Sequence, residues 1–225
     1  MHRTITRILG ASALALALAT VTGTTADAAD SGFLKDYSKL HAAKDSNGVE
    51  RRMWVDASAN RKNYRSLILE PVVFYPTPEA TDQFPLQTLN EIRDYLDQTL
   101  RKAVGATIPL TDKPGPGVMR LRAAITAASV DKSLKPYQMV PVALVFTAAK
   151  HTTGKAEYDV VLAAEWEATD SASGKLLGEL VRTVQGVTVK GDQPVTLAMA
   201  KQQIDQWGEV LRATIVERFG ERATQ

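Results

Sequence analysis

The 225-residue chain has 44% hydrophobic and 23% charged residues, which is the composition of an ordinary globular protein. It contains no cysteine, which excludes disulfides and cysteine-based catalytic or metal sites. The formal net charge is only +2. This near balance argues against nucleic acid as a partner, because phosphate recognition requires a concentrated basic face.

The first residues have the pattern of a secretory signal peptide. Arg3 and Arg7 precede an apolar run at residues 8–21, and residues 26–28 form a small-x-small triplet. The run has about 14 residues, whereas a membrane span takes roughly 20. We therefore expect residues 1–28 to be removed by cleavage between Ala28 and Ala29, leaving no stable membrane span.

The cleavage point lacks the cysteine that would carry acyl chains in a bacterial lipoprotein. Cleavage would leave 25 basic and 24 acidic side chains. We therefore expect a soluble periplasmic protein.

Residues 29–63 are predicted to form an irregular arm, held in place by isolated large apolar side chains. Residues 64–75 are rich in β-forming residues, which predicts a buried, central strand interrupted near Pro71. A helix should follow, with Asp82 as its cap and Gly105 near its end. The arm anchors are Phe33, Leu34, Tyr37, Leu40 and Trp54, and the helical stripe comprises Leu86, Leu89, Ile92, Leu96, Leu100 and Val104.

Two later stretches alternate apolar and polar residues, as half-buried strands do: residues 119–127 and 158–169. In the second stretch Trp166 should point inward. Residues 170–175 have turn composition and residues 176–185 should return as the partner strand of a hairpin. A second helical stripe is expected to end at Gly220 and consists of Leu197, Ala200, Ile204, Trp207, Leu211, Ile215 and Phe219.

These elements predict an α+β fold, in which two amphipathic helices pack on one face of a mainly antiparallel sheet. Residues 64–225 should form this single domain. The apolar segment at 139–149 fits either a buried core element or an exposed contact for a partner or lipid surface. In the second case the interaction residues would be Val142, Leu144, Val145 and Phe146.

Few side chains are available for chemistry. After signal cleavage only His41 and His151 remain as neutral-pH acid or base candidates, and no serine-nucleophile, phosphate-loop or zinc-protease motif accompanies them. We predict no catalytic, cofactor-binding or metal-binding residue. Glu165 and Glu167 should lie on one side of a strand about 7 Å apart, a separation that could suit glycoside hydrolysis. A solvated strand face explains the same pattern.

Three functions remain open. The first is a non-catalytic binding or adaptor module in the cell envelope, which would contact an envelope protein through an edge strand or the 139–149 segment. The second is an envelope hydrolase that uses Glu165 and Glu167. The third is a small-ligand carrier with a cavity between the sheet and the helices.

Four stretches resemble a known family: "SGFLKDYSKL", "YRSLILEPV", "DKPGPGVMRLRAAIT" and "EWEATDSASGKLLGELV". Together they are similar to the bacterial envelope proteins of domain of unknown function 3313, which are mostly small exported lipoproteins. The resemblance implies an α+β envelope protein without established catalysis, and it transfers no active-site residue. The family's usual lipid-bearing cysteine is missing before "SGFL", so the implied role is periplasmic.

Overall fold

The computed structural model describes residues 30–44, 50–80, 82, 84–129, 140–141, 157–190 and 194–219. Within these residues the chain forms an eight-stranded sheet, two long helices and one 3-10 turn at Arg61–Asn63. The helices are α1 (Leu86–Gly105) and α2 (Leu197–Phe219). The strands are β1 (His41–Lys44), β2 (Glu50–Val55), β3 (Ser66–Leu69), β4 (Val73–Phe74), β5 (Val118–Ser129), β6 (Val140–Pro141), β7 (Glu157–Asp170) and β8 (Leu176–Lys190).

The strand order is β1-β2-β8-β7-β5-β3, and β4 and β6 also pair with β5. β3 and β4 run parallel to β5, whereas the other pairings are antiparallel. The α+β class and the mainly antiparallel sheet are therefore confirmed. The predicted hairpin is β7 and β8, in which Thr169 lies opposite Leu176.

Both helices pack on the same face of the sheet, as the sequence predicts. Their inward residues form one core cluster with the inward residues of β5 and β7, and Trp166 packs against it. α1 begins after Pro85 rather than at an Asp82 cap, which corrects that prediction, and its first residue Leu86 is exposed. The central members of the cluster are Leu96, Leu100, Ala123, Ile125, Ala200 and Ile204.

The predicted strand at residues 64–75 is present as β3 and β4, with the interruption at Pro71. Its central placement was wrong, because β3 lies at one end of the strand order. Leu67 is nevertheless buried, because residues 109–111 run along the outer edge of β3. The Leu67 N–H donates to the Pro109 carbonyl, and the Leu67 carbonyl accepts from the Thr111 N–H. An edge strand covered in this way has the apolar composition of an interior strand.

The second face of the sheet is covered by residues 30–40, here called the N-terminal segment. Phe33 and Leu34 are buried against Ala124 and Val181, so the predicted anchors do hold this part of the chain. Farther along, the region predicted to be irregular contains β1 and β2. β2 pairs with β8 although it carries two half-buried arginines. Arg52 forms an ion pair with Asp30 of the N-terminal segment, at 3.5 Å.

Candidate functional site

Three glutamates lie together with Arg122 on the sheet face beneath the N-terminal segment. We call Glu165, Glu167 and Glu179 the carboxylate cluster. Glu167 on β7 lies opposite Arg122 on β5 and opposite Glu179 on β8. Because side chains two residues apart on a strand share a face, Glu165 belongs to the same surface as Glu167.

Glu165 is only 4% exposed and is held by Tyr37. The Tyr37 hydroxyl donates a hydrogen bond to Glu165 Oε2 at 2.6 Å. The Tyr37 hydroxyl oxygen in turn accepts hydrogen bonds from the backbone N–H groups of Gly32 and Leu34, at 3.2 and 3.1 Å. Burial, together with the hydrogen bond to Glu165, raises the pKa of Tyr37 to about 12. Tyr37 thus remains protonated and joins the N-terminal segment to the sheet.

Arg122 makes the second connection between the sheet and the N-terminal segment. Its Nε donates to Glu167 Oε1 at 2.7 Å and its Nη2 to Oε2 at 3.3 Å, which is a fork-like pairing. Nη2 also donates to the Phe33 carbonyl at 2.8 Å, and the guanidinium carbon lies 4.5 Å from the centre of the Phe33 ring. One arginine therefore neutralises Glu167 and binds the segment.

Glu179 is the least satisfied member of the carboxylate cluster. It is 4% exposed, and its Oε2 has no hydrogen-bond partner within the described part of the chain. Burial and the negative charge of Glu167 raise the pKa of Glu179, because both disfavour its ionised form. Two glutamates directly opposite each other also weaken strand pairing when both are charged.

The carboxylate cluster can hold the N-terminal segment, but Glu165 is too deeply buried to contact a substrate. The sequence correctly placed Glu165 and Glu167 on one side of β7, with Trp166 on the other. The expectation of a solvated face was wrong, because Phe33 and Leu34 bury themselves there.

Other candidate residues lie apart from this cluster. His41 is exposed on β1, and Trp207 packs against the helix-side core as predicted. Among the described residues, no group of histidines and carboxylates is arranged to hold a metal ion. The predictions for Ala28, Ala29, His151, Val142, Leu144, Val145 and Phe146 lie outside the described residues.

Sequence reasoning did not assign site roles to Tyr37, Arg122 or Glu179. Arg122 occupied an outward position in the alternation of β5, but nothing in the sequence showed that this face would be covered. Its partner Glu167 lies 45 residues away. Only the strand register could bring the two together.

A cavity lies on the opposite side of the sheet, beneath the helices. It is lined by side chains from α1, α2 and the sheet, including Ile92, Trp207 and Leu162. Its volume is about 60 Å³. Within the described residues, neither helix is both long and apolar enough to cross a membrane.

The fold and site define a small α+β protein whose sheet is covered by a helix pair on one face and by its own N-terminal segment on the other. Residues 29–211 match the family model described as protein of unknown function, DUF3313, and the chain belongs to that family. The resemblance found in the sequence is thereby confirmed.

The relatives include the uncharacterized lipoprotein YdcL of Escherichia coli K12. It is 32% identical over 177 residues, which cover 78% of this chain and 80% of YdcL; the protein of the same name from strain O157:H7 gives the same values. Among solved structures, PelC from Paraburkholderia phytofirmans, a dodecamer, matches 72% of this chain and 96% of its own. That match has 12% identity and a TM-score of 0.31, which is too low to carry an argument about assembly.

Proposed function

We propose that this protein is exported to the bacterial cell envelope and acts there as a non-catalytic binding module. The proposal rests on the contacts that Glu165 and Glu167 of the carboxylate cluster make. Glu165 is buried under Tyr37 and Glu167 is paired with Arg122, so both carboxylates serve to hold the N-terminal segment. A hydrolase would need at least one of them within reach of substrate.

Export is supported by the basic residues, apolar run and small-x-small triplet at the start of the chain. The YdcL relatives bear the name lipoprotein, which is consistent with an envelope location. This chain has no cysteine, so we propose a periplasmic protein that is not lipidated.

Fractionation of bacteria that express the full chain tests the location. The expected product is found in the periplasmic fraction with a mass that begins at Ala29. Ala28→Leu is the matched variant, because a large side chain disrupts the small-residue cleavage pattern. It should leave the signal peptide attached. Wild-type protein confined to the cytoplasm would contradict the location.

Assay of the purified protein against peptidoglycan and oligosaccharides tests the absence of catalysis. We expect no release of reducing ends above the blank. The runner-up function, an envelope hydrolase, predicts turnover that disappears in the Glu165→Gln, Glu167→Gln double variant. Turnover with that pattern would overturn the non-catalytic proposal.

The proposal includes a partner protein, which would contact the apolar segment at 139–149. Affinity capture from envelope extract should enrich one protein with the wild type and lose it with Leu144→Asp. Val55→Asp is the control, because Val55 is an exposed apolar residue on β2. If Leu144→Asp unfolds the protein, the segment belongs to the core and its contact role is rejected.

A further inference from the structure

A small apolar cavity lies between the sheet and the helix pair, where the sequence left a ligand-carrying role open. We propose that it binds the end of an unbranched aliphatic chain. This inference deepens the proposed binding function and rests on it, since it names the class of ligand.

The lining of the cavity favours hydrocarbon over water. All of its lining side chains are apolar except Arg93 and Gln203. The apolar surface comes from several elements, including Phe74 of β4, Ile92 of α1 and Leu162 of β7. Ordered water needs two to four polar partners, and apolar walls supply none. A hydrocarbon group therefore gains by replacing water at this surface.

The size of the cavity limits the shape of the ligand. A volume of about 60 Å³ corresponds to roughly four water molecules. This space admits a chain of a few carbons, but not a ring system as large as a sterol. Pockets that enclose a whole drug-sized ligand are larger, on the order of 300–1,000 Å³. Only the chain end would enter, and the rest of the molecule would remain outside.

The polar residues of the lining fit the other end of such a molecule. The side chain of Arg93 is 36% exposed, and Nε and Nη2 donate to Asp94 Oδ1 at 3.0 and 2.7 Å. Gln203 contributes an amide from α2. An ion pair and an amide form a polar edge without a concentrated net charge. The ligand class is thus an amphiphile with a linear aliphatic chain, either a free chain or the acyl chain of a lipid.

Titration with a series of straight-chain alkanoates, from butanoate to dodecanoate, tests the proposal. Calorimetry is performed with the protein purified after expression of the full chain, at ligand concentrations below those at which micelles form. Affinity should rise about fourfold for each methylene that becomes buried, and then level off once the cavity is full. Adsorption to an open surface would instead strengthen with every added methylene.

Ile92→Trp fills the cavity and should weaken binding of the best alkanoate at least about tenfold. Leu86→Trp is the matched control, because Leu86 lies on the same helix but is 48% exposed and outside the cavity lining. The control should keep wild-type affinity. If Ile92→Trp does not fold, Leu162→Phe replaces it as a second filling variant.

A second arm distinguishes the two sources of the chain. The protein is incubated with phosphatidylglycerol vesicles, and lipid that co-purifies with the separated protein is measured. Co-purifying lipid assigns the chain to a lipid, whereas alkanoate binding without it assigns the chain to a free amphiphile.

Absence of saturable alkanoate binding to the wild type would overturn the proposal. Unchanged affinity in a folded filling variant would do the same. Neither result bears on the periplasmic location or the absence of hydrolysis, which have their own measurements. Failure of the ligand assignment can therefore be distinguished from failure of the proposed function.

Discussion

Tyr37 shows how one hydroxyl can organise a segment without secondary structure. The hydroxyl oxygen accepts hydrogen bonds from two backbone N–H groups of the N-terminal segment and lies 3.0 Å from Ser31 Oγ. The hydroxyl donates its own hydrogen bond to Glu165. A buried carboxylate requires such a donor, because an unpaired charge in this position would carry a large desolvation cost. Tyr37 and Glu165 therefore satisfy each other, and the N-terminal segment gains a fixed position.

Glu179 gives a prediction at the residue scale. Its pKa is raised, so its stabilising contribution is present below its ordinary pKa of 4.5 and is lost as the pH rises through the raised value. Glu179→Gln does not titrate. The free energy of unfolding of Glu179→Gln, measured relative to wild type, should therefore increase across that pH window.

Urea unfolding of both proteins at a series of pH values measures this difference. Parallel stability curves for wild type and Glu179→Gln would mean that the folded environment does not perturb Glu179.

The two helices approach each other closely at Gly208 of α2, next to Thr99 of α1. A Cβ built at position 208 would lie 2.6 Å from Thr99 Cγ2, well inside van der Waals contact. Glycine is unfavourable in a helix interior by roughly 0.5–1 kcal/mol relative to alanine, so its presence here reflects packing. The close approach brings the helices together over a single face of the sheet.

Gly208→Ala provides the prediction at the element scale. The variant should unfold about 1–3 kcal/mol more easily, because the added methyl group forces the helix contact to shift. In a Thr99→Ala background the obstructing methyl is gone. There the same change should stabilise by roughly 0.5–1 kcal/mol through helix propensity.

Chemical denaturation of the four proteins in this cycle gives the coupling directly. If Gly208→Ala stabilises both backgrounds equally, the helix contact at Thr99 is not as close as described.

For the whole molecule, periodicity predicted the elements that bury one face against the helices. The stripe from Leu89 to Val104 and the alternation around Trp166 predicted α1 and β7 correctly, because each pattern reflects local geometry. The covering of the other face could not be predicted in this way. It depends on contacts between residues far apart in sequence, such as Tyr37 and Glu165, which are separated by 128 positions.

The same reasoning explains the error over β3. The run of apolar residues in β3 indicates that the strand is buried, but not where it lies in the sheet. A strand at the sheet edge can be buried by a covering loop as well as by neighbouring strands. The two apolar helical stripes allowed a cavity between the helices and the sheet as one alternative. Its lining and size, however, depend on how the helices lie on the sheet.

The central claim is that Glu165 is a structural acceptor that holds the N-terminal segment, and a double-mutant cycle between Tyr37→Phe and Glu165→Gln tests it most directly. Tyr75→Phe is the control, because the Tyr75 ring packs edge-on against Phe33 in the same region. The account predicts a coupling of about 1.5–3 kcal/mol in unfolding free energy, the range for a hydrogen bond to a charged group. Additivity of Tyr37→Phe and Glu165→Gln to within about 0.5 kcal/mol would contradict it.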